Sequence, residues 1–92
     1  MNHYLLLYRT VERYVERRAP FRDVHLKHAQ DAHHRGELVL AGAYANPADG
    51  AALVFRGTTP DVAKRFAEND PYVKNGLIEH WEVREWTVVI GG

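Results

Sequence analysis

Residues 2–8 read Asn-His-Tyr-Leu-Leu-Leu-Tyr, and a strand formed from them is apolar on both faces. Tyr4, Leu6 and Tyr8 alternate with His3, Leu5 and Leu7. Such a strand needs cover on both sides. In a chain of 92 residues, one layer of helices covers one face and little is left for the other. The length suits one small domain, spanning residues 1–92, and not two. A domain of this size is hard to stabilise, and with no cysteine neither disulfides nor thiolate metal sites help. A second copy of the chain is the simplest cover. The expectation is therefore a homodimer, packed sheet against sheet.

The rest of the chain supplies the other elements. Residues 11–18 carry apolar side chains at 11, 14 and 15, enough for one or two helical turns. Pro20 restarts the chain at a first helical position. Residues 21–35 form the main helix, with Gly36 as its left-handed stop. Residues 38–45 form a strand, the turn-rich Asn-Pro-Ala-Asp-Gly at 46–50 a hairpin connection, and residues 51–56 the return strand. Thr59, Pro60 and Asp61 start a second helix as cap, first position and first-turn acid. Val62, Ala63, Phe66 and Ala67 make its apolar stripe. Asp70-Pro71 ends it, because the residue before proline avoids helical geometry. Residues 77–90 read as a long last strand, whose inward set changes phase from Trp81 and Val83 to Trp86, Val88 and Ile90. That shift predicts a bulge near Glu85. The order β-α-β-β-α-β is that of a ferredoxin-like α+β fold, an antiparallel sheet with both helices on one face.

Charge narrows the function. Twelve basic residues balance twelve acidic ones. Nucleic-acid binding lacks the positive excess that phosphate neutralisation requires, and membrane adhesion lacks the same support. The apolar run at the start is too short for a signal peptide or a membrane span, so a cytoplasmic protein is expected. There is no glycine-rich nucleotide loop, and no cofactor is expected.

The main helix holds four histidines: His25, His28, His33 and His34. Projected at about 100° per residue, His25 falls in the middle of the apolar arc made by Phe21, Val24, Leu26, Ala29 and Ala32, opposite the polar one. His28 lies within that arc, His33 at its border, and His34 points to solvent. His25 is either a core histidine satisfied by a backbone carbonyl or a tyrosine hydroxyl, or an acid–base group facing a pocket between helix and sheet. His25 and His28 are one turn apart and suited to share an ion. However, no spacing points to a third ligand among His3, His80 and the carboxylates, and no metal is expected.

Three motifs lie in order along the chain: Arg-Asp-Val-His-Leu at 22–26, Gly-Glu-Leu-Val-Leu-Ala-Gly-Ala-Tyr at 36–44, and Asn-Asp-Pro-Tyr-Val-Lys-Asn-Gly-Leu-Ile-Glu-His-Trp-Glu-Val at 69–83. Together they resemble the YCII-related (YciI-like) proteins over nearly the whole length. The resemblance implies a ferredoxin-like fold assembled as a dimeric α+β barrel, with an active-site dyad of the motif histidine and motif aspartate, here His25 and Asp70. One relative is implicated in dehydrochlorination of a chlorinated hydroxyquinol, and muconolactone isomerases share the wider architecture. The loop at 46–50 is shorter than that of several relatives, so substrate choice does not carry over.

A carboxylate at the end of a helix is disfavoured by the macrodipole, and a neighbouring imidazolium would suit Asp70. Arg22, at the edge of the apolar face, is placed either to hold an anionic substrate oxygen or to make a surface ion pair. Tyr72 is a pocket residue or a core plug, and Tyr8 and Tyr44 line a pocket or simply pack. Two functions follow from these residues. One is a cofactor-independent isomerase or lyase that moves a proton on a small ring-derived carbonyl or hydroxylated acid through His25 and Asp70. The other is a non-catalytic dimeric module that binds a small molecule or a protein, with His25 and Asp70 as a buried polar pair.

Overall fold

The first strand, β1 (Asn2–Thr10), lies inside a four-stranded antiparallel sheet and meets a neighbour on each side. The structure, a computed structural model, describes residues 1–91. The other strands are β2 (Leu38–Ala43), β3 (Gly50–Gly57) and β4 (Ile78–Trp86), and the order across the sheet is β2-β3-β1-β4. The two longer helices are α2 (Arg22–His34) and α3 (Asp61–Asn69). Single-turn helices α1 (Tyr14–Arg17) and α4 (Pro71–Lys74) and a 3-10 turn at Ala19–Phe21 are added to the β-α-β-β-α-β frame.

Register follows from the alternation in β1. Tyr4 pairs with Phe55, Leu6 with Leu53 and Tyr8 with Ala51. These six side chains form one core with Ala32 of α2 and Val62, Ala63, Phe66 and Ala67 of α3. Both helices therefore lie on one face. On the opposite face Leu5 pairs with Val54 and Leu7 with Ala52. Among the described residues no helix packs there, and Leu40 and Trp86 are exposed.

Local chemistry explains most of the boundaries. Gly36 takes φ 80°, while its N–H reaches the His33 carbonyl and that of Glu37 reaches Ala32, which closes α2 with a left-handed glycine. The start of α3 differs by one residue from the expected cap: Pro60 is the N-cap, its carbonyl accepts the Ala63 and Lys64 N–H groups, and Thr59 Oγ1 accepts the Asp61 N–H from just outside the helix.

Three further expectations fail. First, β4 stops at Trp86, which pairs with His3, and residues 87–90 run past the end of β1 without a ladder partner. The phase change at Glu85 marks that departure. The irregular register lies at the other end, where Arg9 and Thr10 oppose His80 and Ile78 with Glu79 between them. Second, α4 follows α3 at once, so Asp70-Pro71 begins a helix as well as ending one. Third, Val24 and Leu26 of α2 are exposed, and the side of that helix turned toward the sheet is formed by His25, His28, Ala29 and Ala32.

Candidate active site

Asp70 sits at the junction of α3 and α4, in extended geometry with φ −70° and ψ 124°. Pro71 at the first helical position fixes that turn, and Asp70 Oδ1 accepts the Tyr72 N–H at 2.9 Å as an N-cap. The carboxylate is the end group of α3 and the cap of α4. Its position at the start of α4 offsets the macrodipole penalty expected from the end of α3.

Asp70 has no exposed surface, and two further donors reach it. The Tyr8 hydroxyl of β1 donates to Oδ2 at 2.7 Å. His25 Nδ1–H of α2 donates to Oδ1 at 2.8 Å. Three donors on one buried carboxylate satisfy it fully, which is the condition for burying an acid. The bond also sets the histidine tautomer. With Nδ1 protonated toward Asp70, Nε2 is the basic nitrogen. It has no protein partner among the described residues and is not sealed from solvent.

An aromatic wall fixes the imidazole ring. His25 stacks flat on Tyr72, with centroids 3.7 Å apart and planes 6° apart. Tyr72 meets Tyr14 edge-on at 5.7 Å, and the Arg18 guanidinium lies 5.1 Å above the Tyr14 ring. Tyr14, Tyr72 and Leu77 form a second small core beneath this wall.

These groups line a cavity of about 430 Å³ between α2 and the β2 edge of the sheet. Arg18, Arg22, His25, Gln30 and His33, with the tyrosines, are its polar lining, and Leu26, Leu38, Ala41, Ala43, Ala51 and Leu53 form much of the apolar wall. Burial and the facing Asp70 raise the ionisation of Tyr8 far above the ordinary tyrosine value. Its one proton is held at Asp70. Burial, with Tyr14 beside it, pushes the Tyr72 hydroxyl up to about 12, against the pull of Arg18 and Arg22.

Of the residues singled out in the sequence, His25, Asp70, Tyr8 and Tyr72 share one bonded cluster, and Arg22 joins them at the cavity. Tyr8 and Tyr72 serve mainly as supports, one for the carboxylate and one for the imidazole. Tyr44 does not line the cavity. It lies half exposed over Gly50, where a Cβ would come within 2.7 Å of its ring. Two further helix histidines each spend a ring nitrogen on a backbone carbonyl, His33 while also lining the cavity. His28 Nε2–H donates to the Phe66 carbonyl at 3.0 Å and the ring stacks on Phe66. His33 Nδ1–H donates to the Leu38 carbonyl at 2.8 Å, so this border residue ties α2 to β2. Among the described residues no group of three histidines or carboxylates is placed to hold a metal ion, and no helix is long and apolar enough to cross a membrane. Sequence reasoning missed Arg18 and Tyr14. The spacing Tyr14, Arg18, Arg22, with His25 three residues on, was the available signal, hidden by the 3-10 turn between α1 and α2.

Comparison with known proteins agrees with this architecture. The chain matches the 5-chloro-2-hydroxyhydroquinone dehydrochlorinase TftG from Burkholderia phenoliruptrix, solved in complex with 2,5-dihydroxybenzoquinone. The TM-score is 0.76 and the identity 19%, over 92% of this chain and 93% of that one. It also matches protein Atu4242 from Agrobacterium tumefaciens, with a TM-score of 0.58 and 18% identity over 97% and 94% of the two chains. No curated protein matches in sequence. The YCII-related domain matches residues 1–87. The chain, with its four-stranded ferredoxin-like sheet, belongs to the YCII-related domain family.

Proposed function

We propose that this protein is a small-molecule enzyme that moves a proton on a small ring-derived carbonyl or hydroxylated acid, with His25 and Asp70 as its dyad. One observation carries the proposal: His25 gives one ring nitrogen to a fully buried carboxylate and keeps the other unpaired at a cavity. Nε2 takes a proton from carbon next to a carbonyl, and the electron pair moves onto the carbonyl oxygen as an enolate. Asp70 stabilises the imidazolium so formed and holds its orientation. The enolate then recovers the proton at another atom, which is isomerisation, or expels a leaving group with its electron pair, which is elimination. Arg22 stands at the cavity to hold the developing oxyanion. The dehydrochlorinase activity and quinone ligand named for the structural neighbour fit the elimination branch.

An open cavity beside His25 favours a small-molecule site over a buried polar pair that serves packing alone. The working unit is a homodimer closed through the uncovered sheet face, on the support of the half-buried Leu5 and Leu7 and the exposed Leu40 and Trp86. The cysteine-free sequence suits a cytoplasmic setting.

Proton abstraction is measurable before the physiological substrate is known. A panel of cyclic ketones, lactones and hydroxylated quinones in heavy water reports it as loss of C–H proton signals. The expected result is exchange by wild type on at least one ring carbonyl, falling by about 10²–10⁴-fold in His25→Gln. Exchange that ignores His25→Gln, or none on any panel member, overturns the proposal.

A further inference from the structure

We propose that Arg18 and Arg22 form a two-guanidinium clamp that takes the substrate as an anion, a ring compound carrying a carboxylate or an ionised ring hydroxyl. This inference rests on the proposed enzyme site and names what that site accepts.

The clamp is built from four observations. Arg18 and Arg22 both line the cavity beside His25, and no aspartate or glutamate lines it. The chain as a whole is neutral, so the positive charge here is local. Neither guanidinium has an ion-pair partner among the described residues, a state they share with Arg17, Arg56, Arg65 and Arg84, none of which borders this cavity. Asp70, buried and bonded to Tyr8, His25 and the Tyr72 N–H, makes no ion pair with either arginine.

Arg18 is also held in place. Its backbone N–H donates to the Tyr14 carbonyl at 2.8 Å, its carbonyl accepts from Phe21, and its guanidinium rests on the Tyr14 ring. A half-buried guanidinium over an aromatic face keeps its outer N–H groups free for a planar, two-oxygen partner. Elsewhere in the lining, the small side chains of Ala29, Ala41, Ala43 and Ala51 leave width for a flat ring. An anionic group on the arginines thus directs the ring along the cavity that His25 borders.

Calorimetric titration with benzoate and its neutral isostere benzamide isolates the charge. A second anion, 2,5-dihydroxybenzoquinone, carries it on ring oxygens. At least one anion is expected to bind wild type tenfold or more tighter than benzamide and to weaken with salt. Arg18→Gln and Arg22→Gln are each expected to weaken the anion by about ten- to a hundredfold, the range for a charged hydrogen bond. Arg17→Gln, the same charge change outside the cavity, leaves binding unchanged. Whichever anion binds identifies the carboxylate or the ring oxygen as the recognised group. Equal binding of benzamide, an anion indifferent to Arg18→Gln, or failure of both anions to bind overturns the clamp. The benzoate–benzamide comparison and the salt dependence need no variant, so a poorly folded one leaves the test intact. Anion binding that persists in His25→Gln, with no exchange in wild type, leaves the clamp standing and removes the enzyme.

Discussion

Tyr8 has a single hydroxyl proton, and the fully buried Asp70 accepts it through Oδ2 at 2.7 Å. Tyr8→Phe deletes that proton and leaves a buried carboxylate oxygen without its donor. At neutral pH the expected loss is about 1–3 kcal/mol. The loss changes with pH in a defined direction. Burial and Asp70 raise the Tyr8 ionisation above its unfolded value near 10. Below that value both states keep the proton and the stabilisation is complete. Above it the unfolded chain releases the proton first, so wild type loses stability by up to about 1.4 kcal/mol per pH unit from this group. The phenylalanine variant has no such proton. The difference between the two proteins in urea unfolding therefore shrinks above pH 10, and a difference that is constant or grows would contradict the assignment. The sequence made Tyr8 a candidate pocket residue, but its support of Asp70 depends on a contact across 62 positions, which no local pattern encodes. His25 was legible because helix periodicity puts its ring on the inward side of the helix, and the motif resemblance then set it apart from His28 on that same side.

At the scale of elements, legibility followed signal length. The main helix, the hairpin and the second helix each carry several concordant residues, and the structure has all three near their expected bounds. The four-residue α4 shows no period, yet Asp70-Pro71 offered the same cap-and-proline signal that was recognised at Thr59-Pro60. The last strand was overextended because Val88, Val89 and Ile90 are good strand formers with no strand beside them. Gly50 shows how closely the hairpin is fitted to the site. A Cβ there would lie 2.7 Å from the Tyr8 carbonyl oxygen as well as from Tyr44. The backbone oxygen has no rotamer to escape into, so Gly50→Ala must shift β3 against β1 and disturb Tyr8. The expected destabilisation is about 1–3 kcal/mol, with weaker proton exchange at His25. Gly42, on the neighbouring strand, has nothing within 4 Å of a built Cβ. Gly42→Ala is the control, and equal effects of the two substitutions would show that the close approach at Gly50 does not matter.

For the whole molecule, the question left by the first strand is what covers Leu5 and Leu7. Helices occupy only the face that holds Tyr4, Leu6 and Tyr8. The other face carries Leu5, Leu7, Ala52 and Val54 beside the exposed Leu40, with Glu82, Arg84 and the exposed Trp86 along β4, and apolar side chains gathered on one open face of a small domain mark an interaction surface. A twofold dimer buries that patch against itself. The wild-type protein is then expected at twice the 10.6 kDa chain mass, with a melting temperature that rises with concentration. Leu5→Asp is the discriminating variant because Leu5 pairs laterally with Arg84. On an open face the new carboxylate gains a cross-strand partner of opposite charge, so a monomer tolerates it. In a closed interface it buries a charge beside its own copy, which dimerisation does not survive. Sedimentation is therefore expected to show wild type as a dimer and Leu5→Asp as a folded monomer whose melting temperature no longer depends on concentration. A wild-type monomer at micromolar concentration, or a variant that still dimerises, would mean that the two-sided strand is covered in another way.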